Sequence, residues 1–321
     1  MPRDETVNRQ KAWGGKIAAY LFLAGAGAGA YLAAFFLALI RPELTIAINT
    51  GLALSLSLMV LGILFLILDL GKKLLAFLAF SRPRESWISR GTIIITAFLI
   101  FDIAYFVIIT RAGGMEDTAG WGLVWGILAA IFALLTLTYT GMVLGAARPV
   151  VFWDPGFLTV LFLVSGISSG IAGMVFCLSI YNLSSDMALA SSLLFLMHYN
   201  AFVLTAEVIV IGLYLFRMYR RVQPRPSVRL ILKGNLAVPF WGVVVVGLLV
   251  SLVFDYCLAY LSVPVSVPIS AVAVAVSLAG LSSGFTLRYI AVAAGISLPL
   301  NIEGRLISIP QITRGEFYLK D

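Results

Sequence analysis

The sequence predicts an all-α integral membrane protein of eight transmembrane helices, and three observations carry that expectation. Hydrophobic residues make up 61% of the 321-residue chain and charged residues only 12%, about half the charged share of an ordinary soluble domain. The apolar residues gather into eight runs, each close to or above the roughly 20 residues a helix needs to cross a bilayer core. Helix-ending residues stand between the runs: Arg41-Pro42, Arg82-Pro83, Gly113-Gly114, Arg148-Pro149, Pro224 with Pro226, and Pro264 with Pro268.

The first run, Ile17–Ile40, is too long for the apolar core of a cleaved leader, so the N-terminus is expected to be retained. Ile46–Leu70 closes on Asp69, with Lys72 and Lys73 just beyond. Gly91–Thr110 carries Asp102 near its middle, and Gly122–Ala147 carries Tyr139 about two turns before its end. Gly156–Tyr181 is rich in small residues, and Ala188–Phe216 holds both His198 and Glu207. Val238–Leu261 has Asp255 toward its far end, and Val267–Leu298 contains Arg288. Gly25/Gly29 in the first run and Gly166/Gly170 in the fifth are small-xxx-small pairs, which let helix backbones approach closely. The matched pairs suggest one membrane domain over 1–321 built as two four-helix bundles, with pseudo-repeat halves 1–150 and 151–300.

An even number of spans puts both termini on one side. That side holds 19 of the 22 basic residues, grouped at Arg3–Lys16, Lys72–Arg90, Arg148, Arg217–Lys233 and Arg305–Lys320; the other side has only Arg41 and Arg111. Short cytoplasmic loops carry such an excess of Lys and Arg. The expected location is therefore the inner or plasma membrane, with cytoplasmic termini. The same pattern disposes of nucleic acid as the partner for a net charge of +7, because the positive charge lies in membrane-flanking loops rather than on one basic face.

Cysteine and histidine counts exclude resident redox centres. Cys177 and Cys257 both lie inside apolar runs, and His198 is the sole histidine. An iron–sulfur cubane needs four thiolates, and a b-type haem is usually held by two imidazoles. Electrons passing through this chain need an external centre to deliver or collect them.

Ionisable residues at membrane depth cost at least about 2.5–3.5 kcal/mol each to insert and so invite explanation. Asp102, Glu207, Asp255 and Arg288 qualify, with His198 nine residues from Glu207 and so on the opposite side of its helix. They are candidates for proton movement, or for buried pairing in which Arg288 holds a carboxylate. A second group gathers toward the terminus-bearing face: Tyr20, Asp69, Lys72, Arg82, Trp87, Arg90, Tyr139, Arg148 and Trp153. Singly, such residues belt and snorkel at any bilayer interface. Together they could bind a quinone, a phenol or ammonium donating to its carbonyl and a carboxylate handling the accompanying proton.

The stretch Tyr139-Thr140-Gly141-Met142-Val143-Leu144, then Arg148-Pro149, then Leu161-Phe162-Leu163-Val164-Ser165-Gly166-Ile167-Ser168-Ser169-Gly170 resembles the NrfD/PsrC-type membrane subunits of polysulfide reductase and formate-dependent nitrite reductase. Tyr20-Leu21-Phe22-Leu23-Ala24-Gly25, Leu68-Asp69-Leu70-Gly71 and Leu287-Arg288-Tyr289 agree in order along nearly the whole chain. The resemblance implies a subunit that handles menaquinone or ubiquinone and has no haem or cluster of its own. It implies an iron–sulfur subunit docked on the terminus-bearing face, commonly with a molybdopterin subunit beyond. The family's quinone-contacting tyrosine matches Tyr139. A histidine and an asparagine used by some relatives near the start of the first span are replaced here by Tyr20 and Ile17. Many relatives carry their catalytic subunits outside the cytoplasm on this face, whereas the charge bias here places that face inside. Tyr20, Asp69, Lys72, Tyr139 and Arg148 are thus the expected quinone contacts. A secondary transporter and a purely structural anchor are the rival readings; no run is broken by a proline at membrane depth, as transporter helices often are.

Overall fold

The structure, a computed structural model, describes residues 14–69, 84, 86–113, 120–146, 150–184, 189–260, 267–296, 300–302 and 305–307. Among the described residues, eight helices are long and apolar enough to cross a membrane. In chain order α1 is Gly15–Ile40, α2 Thr45–Asp69, α3 Trp87–Ala112, α4 Trp121–Gly145, α5 Pro155–Ser184 and α6 Ala190–Arg220. A short α7, Arg225–Lys233, precedes the seventh span, which consists of α8 (Ala237–Pro239), a π-helical turn Phe240–Val245 and α9 (Val246–Tyr260). The eighth span is α10, Val267–Ala293, and a ribbon of β1 (Leu300–Ile302) against antiparallel β2 (Arg305–Ile307) follows it.

Local chemistry sets the ends. Ser86 caps α3, its hydroxyl accepting from the Ser89 amide at 3.4 Å, and Gly113 closes that helix at φ 76°. Asp154 Oδ1 accepts from the Phe157 amide at 3.4 Å, just ahead of Pro155 at the first turn of α5, where a missing N–H costs nothing. Within the spans, hydroxyls of Thr92, Thr96, Thr136 and Thr138 bond back to carbonyls one turn earlier, which hides them from lipid.

The spans surround a central pair. In α1 and α5, two thirds of the most apolar window is buried, against less than half in every other span. α1 packs on α2, α4, α5 and α10, and α5 packs on α1, α4, α6 and α10. The two cross where Gly29 meets Gly166 and Gly170 meets Ala30, so closely that a Cβ on Gly29 or Gly170 would overlap the partner backbone. Side chains such as Ile100, Ile103, Phe202 and Val253 point outward, as lipid-facing residues should.

Two features differ from the regular spans the sequence suggests. Residues 225–233, expected as part of a basic loop, form α7 because Pro226 stands in its first turn while Val228 and Ile231 bury one face. In the seventh span a π turn follows directly after Pro239 at the end of α8, the proline ring being unable to continue a hydrogen-bond ladder. Ser283 of α10 donates to the Val244 carbonyl at 3.0 Å, supporting the widened turn.

Candidate functional site

Arg288 occupies the middle of the molecule. It is fully buried, and its guanidinium lies beside Gly25, where a Cβ would stand 2.7 Å from Nη2. Gly25 is ten residues into α1, about 15 Å along the helix and so near the midplane of a roughly 30 Å core. Nη1 donates to Ser165 Oγ at 3.1 Å and to the Gly284 carbonyl at 3.0 Å, while Nη2 reaches the Phe162 carbonyl at 3.4 Å. The rings of Phe22 and Phe162 lie 5.6 and 5.4 Å from the guanidinium carbon, so ring faces stand in for part of the lost hydration.

One turn beyond Ser165, the Ser168 hydroxyl donates to Glu207 Oε2. Glu207 is buried, and its Oε1 has no partner, as is true of Arg288 Nε. The two charges are within electrostatic reach but form no direct ion pair; two serines of α5 stand between them. The expected direct pairing is thus replaced by a chain, Arg288–Ser165 and Ser168–Glu207, joining α10, α5 and α6. Both serines are within hydrogen-bonding reach of the Glu207 carboxyl.

Toward the terminus-bearing face, Tyr20 of α1 and Tyr139 of α4 are both buried and within electrostatic reach of each other. Their hydroxyls lie within hydrogen-bonding reach. The Tyr139 ring lies over Gly91 of α3, where any Cβ would overlap it. Buried hydroxyls of Ser89 on α3 and Thr159 on α5 are unpartnered. Asp69 ends α2, but its side chain lies outside the described residues, as do Lys72 and Arg148. Below this region the chain is latched. Tyr214 donates to the Phe152 carbonyl at 2.5 Å, Trp153 Nε1 to the Ala291 carbonyl at 2.7 Å, and Arg221 to Asp154 at 3.1 Å.

The other candidates do not join either cluster. Asp102 is fully buried on α3 and accepts from Ser55 of α2 at 2.7 Å. Asp255 on α9 accepts from Asn200 of α6 at 2.7 Å. His198 is half-buried, its ring 5.3 Å from that of Phe202, and on the other side of α6 from Glu207. Sequence reasoning missed Ser55, Gly91 and Asn200 altogether and took Ser165 and Ser168 only as small packing residues. Their signal is weak because serine and glycine in spans are common, and only the fold shows which ones touch a charge.

These features define a class: an eight-span membrane protein, largely closed to lipid at its centre, with ionisable residues hydrogen-bonded at membrane depth and no cluster of metal-binding side chains among the described residues. The family model of NrfD, polysulphide reductase, matches residues 5–299. The chain belongs to the NrfD family of membrane subunits of oxidoreductase complexes, whose members associate with iron–sulfur and molybdopterin subunits. No curated protein matches the chain.

Proposed function

We propose that this chain binds menaquinone or ubiquinone near its terminus-bearing face and exchanges electrons between that substrate and a docked iron–sulfur subunit, with a molybdopterin subunit beyond it. The observation that carries the reading is the buried pair of phenols, Tyr20 of α1 and Tyr139 of α4, with their hydroxyls within hydrogen-bonding reach of each other. A hydrogen bond between two phenols uses only one of their two O–H donors, and a quinone carbonyl offers an acceptor for the other. In this reading the pair of Tyr139 and Tyr20 donates to the substrate oxygen and fixes its position. Asp69, Lys72 and Arg148 are the further quinone contacts in this reading. Glu207 takes or releases the proton that accompanies electron transfer, with Ser168 orienting its carboxyl and Arg288 holding the local charge. The basic terminus-bearing face supports a cytoplasmic placement of the partner in the plasma membrane. The redox centre itself belongs to the partner, consistent with two cysteines and one histidine in this chain.

The test is purification of the chain in mild detergent from its native membrane. Co-purification of a cluster-containing subunit together with extractable quinone is expected. An isolated chain free of quinone that catalyses solute flux in liposomes would establish the transporter reading instead. A complex with clusters but no quinone-dependent turnover would reduce the chain to an anchor.

A further inference from the structure

We propose that α7 is a binding site for an anionic phospholipid: it lies flat in the headgroup layer of the terminus-bearing side and takes the lipid phosphate on Arg229 and Lys233. Such a site is independent of the function proposed above.

Two hydrogen bonds set the level and tilt of α7. At its first residue, Arg225 Nε donates to the Tyr219 carbonyl in the last turn of α6 at 2.9 Å. Near its other end, the Leu232 carbonyl accepts from Trp241 Nε1 at 3.2 Å, about one turn into the seventh span. Both anchors sit close to the end of a span. A helix of nine residues is about 13 Å long, so an upright α7 would carry one of its ends out of reach. It therefore bridges the sixth and seventh spans parallel to the membrane plane. Trp241 marks its depth, because an exposed indole at the end of a span belongs among the headgroups.

Arg225, Arg229 and Lys233 follow one another at spacings of four and form a ridge along one side of α7. The opposite side, with Ser227, Val228 and Ile231, is buried against the protein. Arg225 is engaged by Tyr219, whose ring lies 5.4 Å from its guanidinium carbon. Arg229 and Lys233 are exposed and form no hydrogen bond or ion pair among the described residues. Local counter-ions are lacking, since no acidic residue occurs between Glu207 and Asp255. Asp154, the carboxylate that does reach this region, is taken by Arg217 and Arg221 at 3.9 and 3.1 Å. Like charges four apart on a helix repel, and an anion lying along the ridge relieves that repulsion.

The surroundings choose the kind of anion. Phe216 near the end of α6, and Val238 and Trp241 at the start of the seventh span, are exposed apolar side chains flanking the ends of α7. An acidic protein surface would set polar groups against them. A phospholipid brings a phosphate to the ridge and acyl chains to its flanks, and a basic amphipathic helix beside a span has the chemistry that recognises anionic lipid.

The experiment places the full chain, purified with its accompanying subunits, in phosphatidylcholine nanodiscs. A minor share of the lipid is brominated phosphatidylglycerol or, in the comparison, brominated phosphatidylcholine. Quenching of Trp241 is isolated by difference from Trp241→Phe. Phosphatidylglycerol is expected to quench Trp241 more strongly, and added salt to weaken that excess. Arg229→Gln with Lys233→Gln is expected to lower the preference about tenfold, since each cation near an anionic surface contributes a factor of about five. Arg229→Lys with Lys233→Arg is expected to keep it, as is Arg41→Gln with Arg111→Gln, which removes the same charge from the opposite face. Equal quenching by the two lipids in the unaltered chain would overturn the site whether or not the glutamine variant folds. An undiminished preference in that variant would overturn it too, and if the variant also sheds a cluster-containing subunit, the ridge is a protein-docking surface instead.

Discussion

In the proposed function Glu207 and Arg288 carry the proton chemistry, and the serines between them change what their removal should do. Breaking a direct buried ion pair costs about 3–5 kcal/mol, so Glu207→Gln in such a pair would cripple assembly. Here Ser168 can still donate to the amide oxygen of a glutamine, and Arg288 keeps its bonds to Ser165, Gly284 and Phe162. Glu207→Gln is expected to assemble at the wild-type level, with quinone turnover slowed and proton uptake lost; wild-type turnover with unchanged proton stoichiometry would remove Glu207 from the chemistry. Tyr139→Phe keeps the ring over Gly91 and deletes one hydroxyl. Losing one hydrogen bond costs about 0.5–1.5 kcal/mol, so a several-fold loss in quinone-linked turnover is expected, checked by steady-state kinetics on the assembled complex. The buried charges were legible in the sequence because each is an expensive rarity in an apolar run. Their hydrogen-bond partners were not, since Ser55, Ser168 and Asn200 look like any polar residue tolerated in a span until the fold puts a carboxylate beside them.

At the scale of elements, the eight spans and their breaks followed from apolar run length and from prolines and glycines; the small-xxx-small pairs marked α1 and α5 as open to close approach, but not that the two faces meet each other. The π turn left no such mark: Pro239 lies at the edge of the run, and hydrophobicity all round a membrane helix carries no period to read. α7 was hidden by its charge, which suggested a loop while Val228 and Ile231 supplied too short a stripe to notice. The crossing makes a direct prediction. Gly29→Ala places a methyl against the Gly166 backbone, and overpacking of this kind costs about 1–3 kcal/mol. A lower unfolding temperature of the purified complex is expected, with Gly212→Ala, where a Cβ meets nothing within 4 Å, as the neutral control. Ile231→Asp puts a carboxylate on the buried face of α7 and is expected to release it, seen as rapid tryptic cleavage at Arg229 and Lys233 with the spans intact.

For the whole molecule, orientation is the largest expectation still to be measured. With native cysteines removed, Val222→Cys beside the basic cluster is expected to resist an impermeant thiol reagent in intact cells, while Glu43→Cys on the opposite face labels quickly. The reverse pattern would move the partner subunits outside the cytoplasm. The halves expected at 1–150 and 151–300 have one hydrogen-bond arrangement in common. In each, the third span carries a buried aspartate, Asp102 or Asp255, that accepts a hydrogen bond from the second, through Ser55 or Asn200. The halves are not separate bundles, however, because α1 and α5, one from each, form the common centre.

That shared centre sets an order in time. α1 leaves the ribosome long before α5, and its glycine face has no surface to close against until Gly166 and Gly170 have been made. More than a hundred residues separate Gly29 from Gly166, which at ribosomal speeds of about 5–20 residues per second leaves α1 waiting in the bilayer for roughly 7–30 s. During that interval its narrow glycine–alanine ridge is open to any other small-residue helix nearby. A nascent chain arrested after α4 should therefore be the state most prone to mispairing, and its capture by site-specific crosslinking from the α1 ridge would reveal what keeps the position free until α5 arrives.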